Sequence, residues 1–241
     1  MIVVVPMAGR GSRYTDRGYS IPKPLVEVAG KPMLFWALNS LRSITYEKII
    51  FVALKQHEQE FSIREKLNEY LHTTFELVLI DHVTEGQLCT VLAAREFFKN
   101  DDELLIVASD SLVKSKIGED IATRDSDIKG IISVIDLPGD RWSFAKVNEE
   151  GNVTEVAEKV RISNHASTGL YYFSRAGEFL NASDIIIKNN QKTRGEYYVI
   201  PVYQKLIEKN ERVAISIAEE MWDMGTPEAK ELFENYLKNY Q

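Results

Sequence analysis

The start of the chain constrains the fold most, because a short apolar strand runs directly into a turn that contains two glycines. Residues 2–5 (IVVV) are all β-branched and are typical of a buried strand. The turn over residues 6–13 (PMAGRGSR) includes Gly9 and Gly11, which have no side-chain bulk and let backbone N–H groups approach a ligand closely. This strand and turn, with the cations that follow, favour a binding site for phosphate groups.

Positive charge is concentrated in and just after this turn. Five basic residues stand there against Asp16 and Glu27, which leaves a local charge of +3: Arg10, Arg13, Arg17, Lys23 and Lys31. The whole chain has a formal net charge of -7, so the basic stretch is a local feature. Because an acidic chain is a poor candidate for nonspecific binding to nucleic acid, we expect no nucleic-acid partner.

Two common phosphate-binding motifs are excluded by the residues of the turn. The P-loop requires a second glycine that is followed by Lys and then Ser or Thr, and the chain has no such string. The dinucleotide fingerprint requires a further glycine where this chain has Tyr14. The turn therefore belongs to another class of phosphate site, or it is a surface turn with solvated charges.

The hydrophobic pattern predicts an α/β fold with a mostly parallel, mixed sheet and helices on both faces. In the first half, helix-like and strand-like segments alternate, with helices over 32–41, 57–71 and 91–98 and strands over 48–54, 75–80 and 103–108. In the second half, we expect strands over 130–135, 167–173 and 213–217, a hairpin over 144–156, and helices over 176–188, 199–209 and 227–237. Ligands of such folds bind at the carboxyl ends of the strands.

The remaining pattern, Gly-x-Gly-Ser-Arg of residues 9–13 followed by Pro-Lys-Pro of residues 22–24, resembles a known signature. It is the loop of the nucleotidyltransferases that join a nucleoside triphosphate to a sugar 1-phosphate. The resemblance implies a Rossmann-like three-layer αβα fold, similar to GT-A, with a small antiparallel extension on the acceptor side. It also implies one domain over 1–241, with a nucleotide-binding half over about 1–130 and an acceptor-binding half over about 131–241.

The same resemblance assigns roles to the residues of the loop. Arg13 and Lys23 are expected to be catalytic, with Arg13 on the side of the leaving pyrophosphate and Lys23 on the α-phosphate. The remaining loop residues with an assigned role are expected to bind the nucleotide: Met7, Ala8, Gly9, Gly11 and Ser12.

Two aspartates are predicted to bind Mg²⁺. Asp110 follows the predicted strand that ends in ELLIVA, where the family has Gly-Asp; here Ser109 replaces the glycine. Asp223 lies in residues 222–227 (WDMGTP), which resemble the family's Asp-x-Gly-Thr-Pro. Two carboxylates from distant loops suit Mg²⁺, which takes one or two protein oxygens together with water and substrate phosphates. The structural alternatives are a simple turn at Asp110 and capping of the last helix, with Thr226 as its N-cap, after Asp223.

Further segments partly match those that contact the nucleobase and the acceptor in the family. Gln87 and Thr90 lie in residues 84–90 (TEGQLCT), and the resemblance implies that both bind the nucleotide. The side-chain amide of Gln87 has both donor and acceptor atoms for a base edge. Gln87 could equally do no more than start the following helix. The resemblance implies that four later residues bind the acceptor: Glu158, Lys159, Gly169 and Glu196. An exposed Glu-Lys pair is alternatively a solvated edge.

These motifs predict an Mg²⁺-dependent enzyme that joins a nucleoside triphosphate to a phosphorylated small molecule and releases pyrophosphate. A pyrimidine triphosphate (CTP, UTP or dTTP) is favoured, and the acceptor is a sugar 1-phosphate or a phosphocholine-like compound. One alternative is a GT-A glycosyltransferase, but residues 110–112 (DSL) lack the second carboxylate of Asp-x-Asp. The other is a regulatory subunit that binds a nucleotide sugar without turnover.

The remaining composition bears on the compartment. The one cysteine, Cys89, excludes an internal disulfide, and we expect it to pack inside. The first residues lack a basic segment before the apolar run, which argues against a signal peptide, and no apolar run approaches the ~20 residues that cross a bilayer. We expect a cytoplasmic protein without a membrane partner; a homo-oligomer is compatible with the sequence.

Overall fold

The computed structural model describes residues 1–71 and 73–240. In chain order the first elements are β1 (Ile2–Pro6), α1 (Ser12–Thr15), β2 (Glu27–Val28), β3 (Lys31–Pro32), α2 (Met33–Leu38), β4 (Lys48–Leu54), α3 (Lys55–Phe61), α4 (Ile63–Tyr70), β5 (Glu76–Ile80), α5 (Gln87–Leu92) and β6 (Leu104–Val107). The chain continues with β7 (Ser111–Ser115), α6 (Ile117–Thr123), β8 (Ile128–Ile135), β9 (Ser143–Val147), β10 (Val153–Glu158), β11 (His165–Phe173), α7 (Ala176–Lys188), α8 (Pro201–Ile207), β12 (Arg212–Asp223) and α9 (Pro227–Tyr240). Short 3₁₀ turns occur at Lys23–Leu25, Asn39–Leu41 and Arg95–Phe97.

A mixed sheet runs through the molecule in the order β5-β4-β1-β6-β11-β8-β12-β7. Strands β5, β4, β1 and β6 are parallel to one another, and β8 is parallel to β12. Strand β11 is antiparallel to both β6 and β8, and β7 is antiparallel to β12. The hairpin of β9 and β10 joins through β9 to β11 and forms the predicted antiparallel extension. The predicted α/β fold with a mixed sheet is confirmed.

The parallel strands decide where the functional loops meet. Because β1, β5 and β6 point the same way, the segments that follow them emerge at one edge of the sheet. The glycine turn follows β1, residues 84–90 follow β5, and Asp110 follows β6. Strand β12 reaches the same edge because its last residue, Asp223, pairs with Ser111 at the start of β7.

Both faces of the sheet are buried, as expected of three layers. Along β1, Ile2 and Val4 pack into the cluster on one face, whereas Val3 and Val5 pack into the cluster on the other. Alternate residues of β4 and β6 divide between the same two clusters. Burying one such side chain fully contributes about 1.5–3 kcal/mol, so these uniformly apolar strands are expected to dominate the stability of the fold.

A third cluster attaches the C-terminal helix to the N-terminal segment. Its buried members come from both ends of the chain: Tyr14, Val26, Val28, Met33, Met224, Phe233 and Leu237. Helix α9 begins after Thr226, whose Oγ1 accepts a hydrogen bond from the N–H of Ala229 at 3.2 Å. The predicted N-cap is therefore confirmed, and α9 packs against the segment that follows the glycine turn.

Several elements differ from their predicted form. The helix expected over 91–98 is the end of α5, at Leu92, and a separate 3₁₀ turn at Arg95–Phe97. The helix expected over 57–71 is two helices, α3 and α4, because Ser62 between them has a left-handed backbone with φ of 50°. The short strand expected over 213–217 is the 12-residue β12, which first pairs with β8 and then, past an irregularity at Ala218, with β7. Strand β7 and helix α6 were not predicted, and neither were the short elements α1, β2 and β3. A strand that changes partner leaves no local sequence pattern, since its partners are distant in the chain.

The sheet takes strands from both sides of residue 130, and the division into a nucleotide-binding and an acceptor-binding half stays a prediction. Among the residues that the structure describes, no helix has the length and apolar character needed to cross a membrane.

Candidate active site

Two adjoining cavities lie at the edge of the sheet where β1, β5 and β6 end. The larger, of about 630 Å³, is bordered by the glycine turn and the loop after β5. The smaller, of about 360 Å³, is bordered by β10, β11 and the end of β12. The residues that line both cavities form their boundary: Gly11, Ser12, Lys23, Gln87, Ala108, Asp110, Glu196 and Tyr198.

Every residue that the sequence predicted for the site lines one or both cavities. Those that line only the larger cavity are Met7, Ala8, Gly9 and Thr90. Those that line only the smaller one are Arg13, Glu158, Lys159, Gly169 and Asp223. The fold thus gathers them in one place, while their individual roles stay predictions.

The glycine turn is held in shape from both ends. The N–H of Met7 donates to the carbonyl of Val52 at 2.9 Å, and Met7 and Ala8 are buried. Gly11 has φ of 61°, and a Cβ built there would lie 3.2 Å from Cβ of Lys23. A side chain at position 11 would therefore be strained by its backbone and would crowd Lys23, so the glycine lets the turn pack against the Pro-Lys-Pro segment.

Asp110 forms an ion pair with Lys23 at the boundary between the cavities. Nζ of Lys23 lies 2.5 Å from Oδ2 of Asp110, and both side chains are largely buried. Burial alone would raise the pKa of the Asp110 carboxyl, but Lys23, helped by Arg13, holds that pKa below its ordinary value. Asp110 is therefore an anion at neutral pH.

Asp223 is close to Asp110 but has a different environment. Its Oδ2 accepts a hydrogen bond from Nη2 of Arg141 at 2.7 Å, and its Oδ1 accepts one from the N–H of Gly225 at 2.9 Å. A Cβ built at Gly225 would lie 2.9 Å from Oδ1 of Asp223 and 3.4 Å from Oδ2 of Asp110. Burial and the neighbouring Asp110 raise the pKa of Asp223, and Arg141 offsets part of that rise. Gly225 thus lies directly beside both carboxylates.

The two carboxylates fit the donor set of a magnesium site. Both are oxygen donors that line the smaller cavity, and Asp110 also borders the larger one. Within residues 1–71 and 73–240, no group of three or more His, Cys, Asp and Glu residues is arranged to hold a metal. A pair of carboxylates completed by substrate phosphates and water is the coordination that Mg²⁺ prefers.

Glu158 forms a hydrogen-bonded group with two hydroxyls on the floor of the smaller cavity. Oγ of Ser143 donates to Oε2 of Glu158, and the hydroxyl of Tyr171 lies 3.4 Å from the same Oγ. Burial raises the pKa of Glu158 despite the hydrogen bond from Ser143. Burial and the charge of Glu158 raise the pKa of Tyr171 to about 12. Tyr171 is therefore a hydrogen-bond donor at neutral pH.

Lys159 is held in place by Tyr198. Its Nζ donates to the hydroxyl of Tyr198 and lies 4.3 Å from the centre of that ring, and the hydroxyl in turn donates to Oε2 of Glu196 at 2.7 Å. Burial, and the hydrogen bond to Glu196, raise the pKa of Tyr198. The Tyr198 hydroxyl thus connects the cation of Lys159 with the carboxylate of Glu196.

Gly169 serves the site through its backbone. It has φ of 87°, and a Cβ built there would lie 2.7 Å from Cβ of Ala108. Its carbonyl accepts a hydrogen bond from the N–H of Ala108 at 3.0 Å. Any other residue at position 169 would push β11 away from the end of β6, two residues before Asp110.

The loop before α5 is braced from within and by the segment around Tyr197. The hydroxyls of Thr84 and Thr90 lie 2.6 Å apart, which ties the Thr90 hydroxyl to its own loop. A Cβ built at Gly86 would lie 2.3 Å from the carbonyl oxygen of Tyr197, so the two segments are in close backbone contact. The side chain of Gln87, by contrast, lies at the boundary of the two cavities.

Arg141 and Tyr198 were not among the site residues predicted from the sequence. Arg141 forms the ion pair with Asp223, and Tyr198 borders both cavities and contacts Lys159. The available signal was their position: Arg141 comes shortly before the predicted hairpin, and Tyr198 is two residues after Glu196. Neither residue type identifies a role without its three-dimensional neighbours.

The burial of Glu158 predicts how stability depends on pH. Its pKa is raised by folding, so this group contributes stability below the ordinary pKa of glutamate, and that contribution is lost as pH rises through the folded-state value. We expect Glu158→Gln to have a higher Tm than the wild type at neutral pH and a smaller difference at acidic pH. Thermal melts across this pH range measure the effect, and Glu155→Gln, an exposed position on the same strand, is the matched control. A Tm difference that is the same at every pH would contradict the prediction.

Comparisons with known proteins agree with this geometry. The chain is 27% identical over 248 residues to a UTP–glucose-1-phosphate uridylyltransferase of Haloferax volcanii. The alignment covers 99% of this chain and 97% of the relative. It is 26% identical to a low-salt glycan biosynthesis nucleotidyltransferase of the same organism, of which it spans only 62%. A solved nucleoside-diphosphate-sugar pyrophosphorylase of Vibrio cholerae RC9 is 26% identical, with a TM-score of 0.84 over 97% of this chain and 99% of that one.

The model of one protein family covers almost the whole chain. The nucleotidyl transferase model matches residues 2–238, a range that includes the glycine turn, both aspartates and nearly all of α9. The match and the shared fold agree with the arrangement of loops at one edge of the sheet. The chain therefore belongs to the nucleotidyl transferase family and is a nucleotidyltransferase.

Proposed function

We propose that this enzyme transfers a nucleotidyl group from a pyrimidine nucleoside triphosphate to a sugar 1-phosphate and releases pyrophosphate. The observation that carries the proposal is the meeting of Lys23, Asp110 and Asp223, which come from distant parts of the chain, around one cavity. The name of the Haloferax volcanii relative, which specifies UTP and glucose 1-phosphate, makes UTP the first triphosphate to test.

The reaction needs little covalent chemistry from the protein. An oxygen of the acceptor phosphate attacks the α-phosphorus; the new P–O bond forms as the bond from the α-phosphorus to the bridging oxygen breaks, and pyrophosphate leaves with that electron pair. The attacking phosphate is already ionised at neutral pH, so no protein base is required. Since both reactants are anions, catalysis consists mainly of positioning and electrostatic stabilisation.

The two cavities give each reactant a place. The larger cavity, with the glycine turn and Gln87, suits the nucleotide, and the smaller, with Lys159 and Glu158, suits the acceptor. The α-phosphate then belongs at their boundary, beside Lys23. Arg13 lies on α1 next to the turn, lines the smaller cavity and is near enough to Asp110 at the boundary to lower the pKa of that carboxyl. We assign its guanidinium to the phosphates that meet at this boundary, with the leaving pyrophosphate as its expected partner.

Asp110 and Asp223 are the residues that would hold Mg²⁺. When bound, the ion supplies a Lewis acid for the phosphate oxygens. The ion pairs of these two carboxylates with Lys23 and Arg141 keep both cations at the boundary of the cavities. The chain thus has two anions for a metal and two cations for phosphate in the same small volume.

Two aromatic faces of the smaller cavity argue for a hydroxylated acceptor rather than a phosphocholine-like one. A quaternary ammonium group is typically bound against exposed aromatic faces. Here the guanidinium of Arg141 lies 4.1 Å from the ring of Trp142, and Nζ of Lys159 lies 4.3 Å from the ring of Tyr198. These cations cover the rings, while Glu158, Glu196 and Ser143 offer hydrogen-bonding groups suited to sugar hydroxyls.

A panel of substrates tests the proposal. Each of UTP, CTP, dTTP, ATP and GTP is combined with glucose 1-phosphate, other sugar 1-phosphates and phosphocholine, and pyrophosphate is measured with and without Mg²⁺. We expect release with a pyrimidine triphosphate and a sugar 1-phosphate, only when Mg²⁺ is present. Release with phosphocholine instead would disprove the acceptor class, and no release with any pair would disprove the reaction.

A further inference from the structure

Tyr14 takes no direct part in this chemistry, yet it contacts the segment that carries one of the two aspartates. Its side chain is fully buried, and its hydroxyl donates to the carbonyl of Met224 at 2.7 Å and reaches the carbonyl of Thr226 at 3.1 Å. These carbonyls lie on either side of Gly225. The hydroxyl of Tyr14, near the N-terminus, thus holds both ends of the turn over residues 224–226, near the C-terminus.

The turn that Tyr14 holds is connected to both predicted metal ligands. The N–H of Met224 donates to the carbonyl of Asp110 at 2.8 Å, and the N–H of Gly225 donates to Oδ1 of Asp223 at 2.9 Å. The peptide groups between Asp223 and Thr226 therefore have partners on two sides: the Tyr14 hydroxyl on one, and the aspartates on the other. A shift of this turn would move the Asp223 carboxylate relative to Asp110.

Tyr14 also belongs to the segment that carries the proposed catalytic cation. It is the residue after Arg13 in α1, which starts at the end of the glycine turn. Its hydroxyl stays protonated, because burial and the charges around it raise its pKa, so it remains a donor at neutral pH. Through this one hydroxyl, the glycine turn and the turn over residues 223–226 are held in a fixed position relative to each other.

We infer that Tyr14 is a positioning residue whose hydroxyl fixes the position of the Asp223 carboxylate relative to the glycine turn. The inference rests on the proposed function and deepens it, because it names a group that acts on metal binding without touching metal or substrate. The ring of Tyr14 is a separate matter: it packs edge-on against Tyr19 in the third cluster, a role that phenylalanine would also fill.

The chain offers a matched control in Tyr203 on α8. Tyr203 is also fully buried, and its hydroxyl also reaches two backbone carbonyls, those of Ile131 at 3.1 Å and Tyr172 at 2.9 Å. It lies in the core cluster on one face of the sheet, and the strands that it contacts, β8 and β11, carry neither predicted metal ligand. Tyr14→Phe and Tyr203→Phe therefore remove the same kind of contact, but only the first removes it beside the predicted metal ligands.

Two measurements on both variants and the wild type test the inference. The first is the Mg²⁺ concentration at half-maximal pyrophosphate release with saturating substrates; the second, which needs no turnover, is the rise in Tm on adding MnCl₂. We expect Tyr14→Phe to raise the half-maximal Mg²⁺ concentration about fivefold to tenfold, the fold-change that corresponds to one net hydrogen bond. It should also reduce the Mn²⁺-induced rise in Tm. Tyr203→Phe should lower the Tm without changing either metal response.

Several results would overturn this role for Tyr14. Equal metal responses in the two variants would do so, as would a Tyr14→Phe protein that is unfolded at the assay temperature, since Tyr14 would then be a general stability residue. If the Tm of the wild type does not change on adding MnCl₂, the metal site on which the inference depends does not exist. A wild type that responds to Mn²⁺ but releases no pyrophosphate would instead refute the proposed reaction, and the Tm comparison would still decide the role of Tyr14.

Discussion

Replacing Arg13 with alanine is expected to lower kcat about thirtyfold to a thousandfold, a loss on the order of 2–4 kcal/mol of transition-state stabilisation. Negative charge moves onto the leaving pyrophosphate as the reaction proceeds, and the guanidinium of Arg13 beside the glycine turn is the group that we expect to stabilise it. The loss should therefore appear mainly in kcat rather than in KM for the triphosphate. Initial rates of pyrophosphate release at several triphosphate concentrations separate the two parameters.

Arg17→Ala is the matched control for this prediction. Arg17 lies four residues further along, is exposed, and pairs with Glu228 on α9. An exposed ion pair contributes only about 0–1 kcal/mol to stability, and this one lies away from both cavities. We expect its kcat to stay near the wild-type value. An Arg13→Ala enzyme with the same kcat as Arg17→Ala would show that Arg13 has no role in the transition state.

Replacing either Asp110 or Asp223 with asparagine is expected to lower Mg²⁺-dependent activity by about a hundredfold or more. Each substitution removes one of the two anionic oxygen ligands and leaves a neutral amide of nearly the same shape, and changes even outside the ligand shell cost about tenfold to a hundredfold in affinity or activity. Because the carboxylates are beside each other, the remaining one should not compensate. The measurement is the rate of pyrophosphate release as a function of Mg²⁺ concentration.

Asp110→Asn and Asp223→Asn must both be compared with the same substitution at an exposed aspartate outside the site. Asp127→Asn serves as the control, since Asp127 is exposed and pairs with Arg212 at 2.6 Å away from the cavities. Thermal melts should accompany the assay, because each site variant also leaves a cation without its anion: Lys23, which is largely buried, or Arg141, which is exposed. If one aspartate proves essential and the other dispensable, the metal is not held by both, and the two-carboxylate site is wrong.

Much of the candidate site could be predicted because its residues follow strands. The glycine turn, Gln87 and Asp110 come after three segments whose apolar pattern indicates buried strands, and parallel strands bring their carboxyl ends to one edge. Asp223 is different: no periodicity placed it there, and its prediction came from the resemblance of residues 222–227. The structure supplies the reason, since the end of β12 pairs with the residue after Asp110.

The partners of the charged groups could not be predicted in this way. The Arg141–Asp223 ion pair joins residues that are 82 positions apart, and the Tyr14–Met224 hydrogen bond joins residues that are 210 apart. Tyr14 served in the sequence only to exclude a dinucleotide fingerprint, yet in the fold its hydroxyl joins the two ends of the chain. Local pattern carries no record of such contacts.

The sequence by itself determined which segments are strands, which loops carry glycine or charge, and so which chemistry the chain can perform. Those properties depend on neighbours within a few residues, and hydrophobic periodicity and residue type report them directly. Only the tertiary structure decided which cation faces which carboxylate, why the pKa of Asp110 falls while that of Asp223 rises, and how one pocket divides into two cavities. Those outcomes depend on burial and on distances through space, which arise only when distant segments pack together.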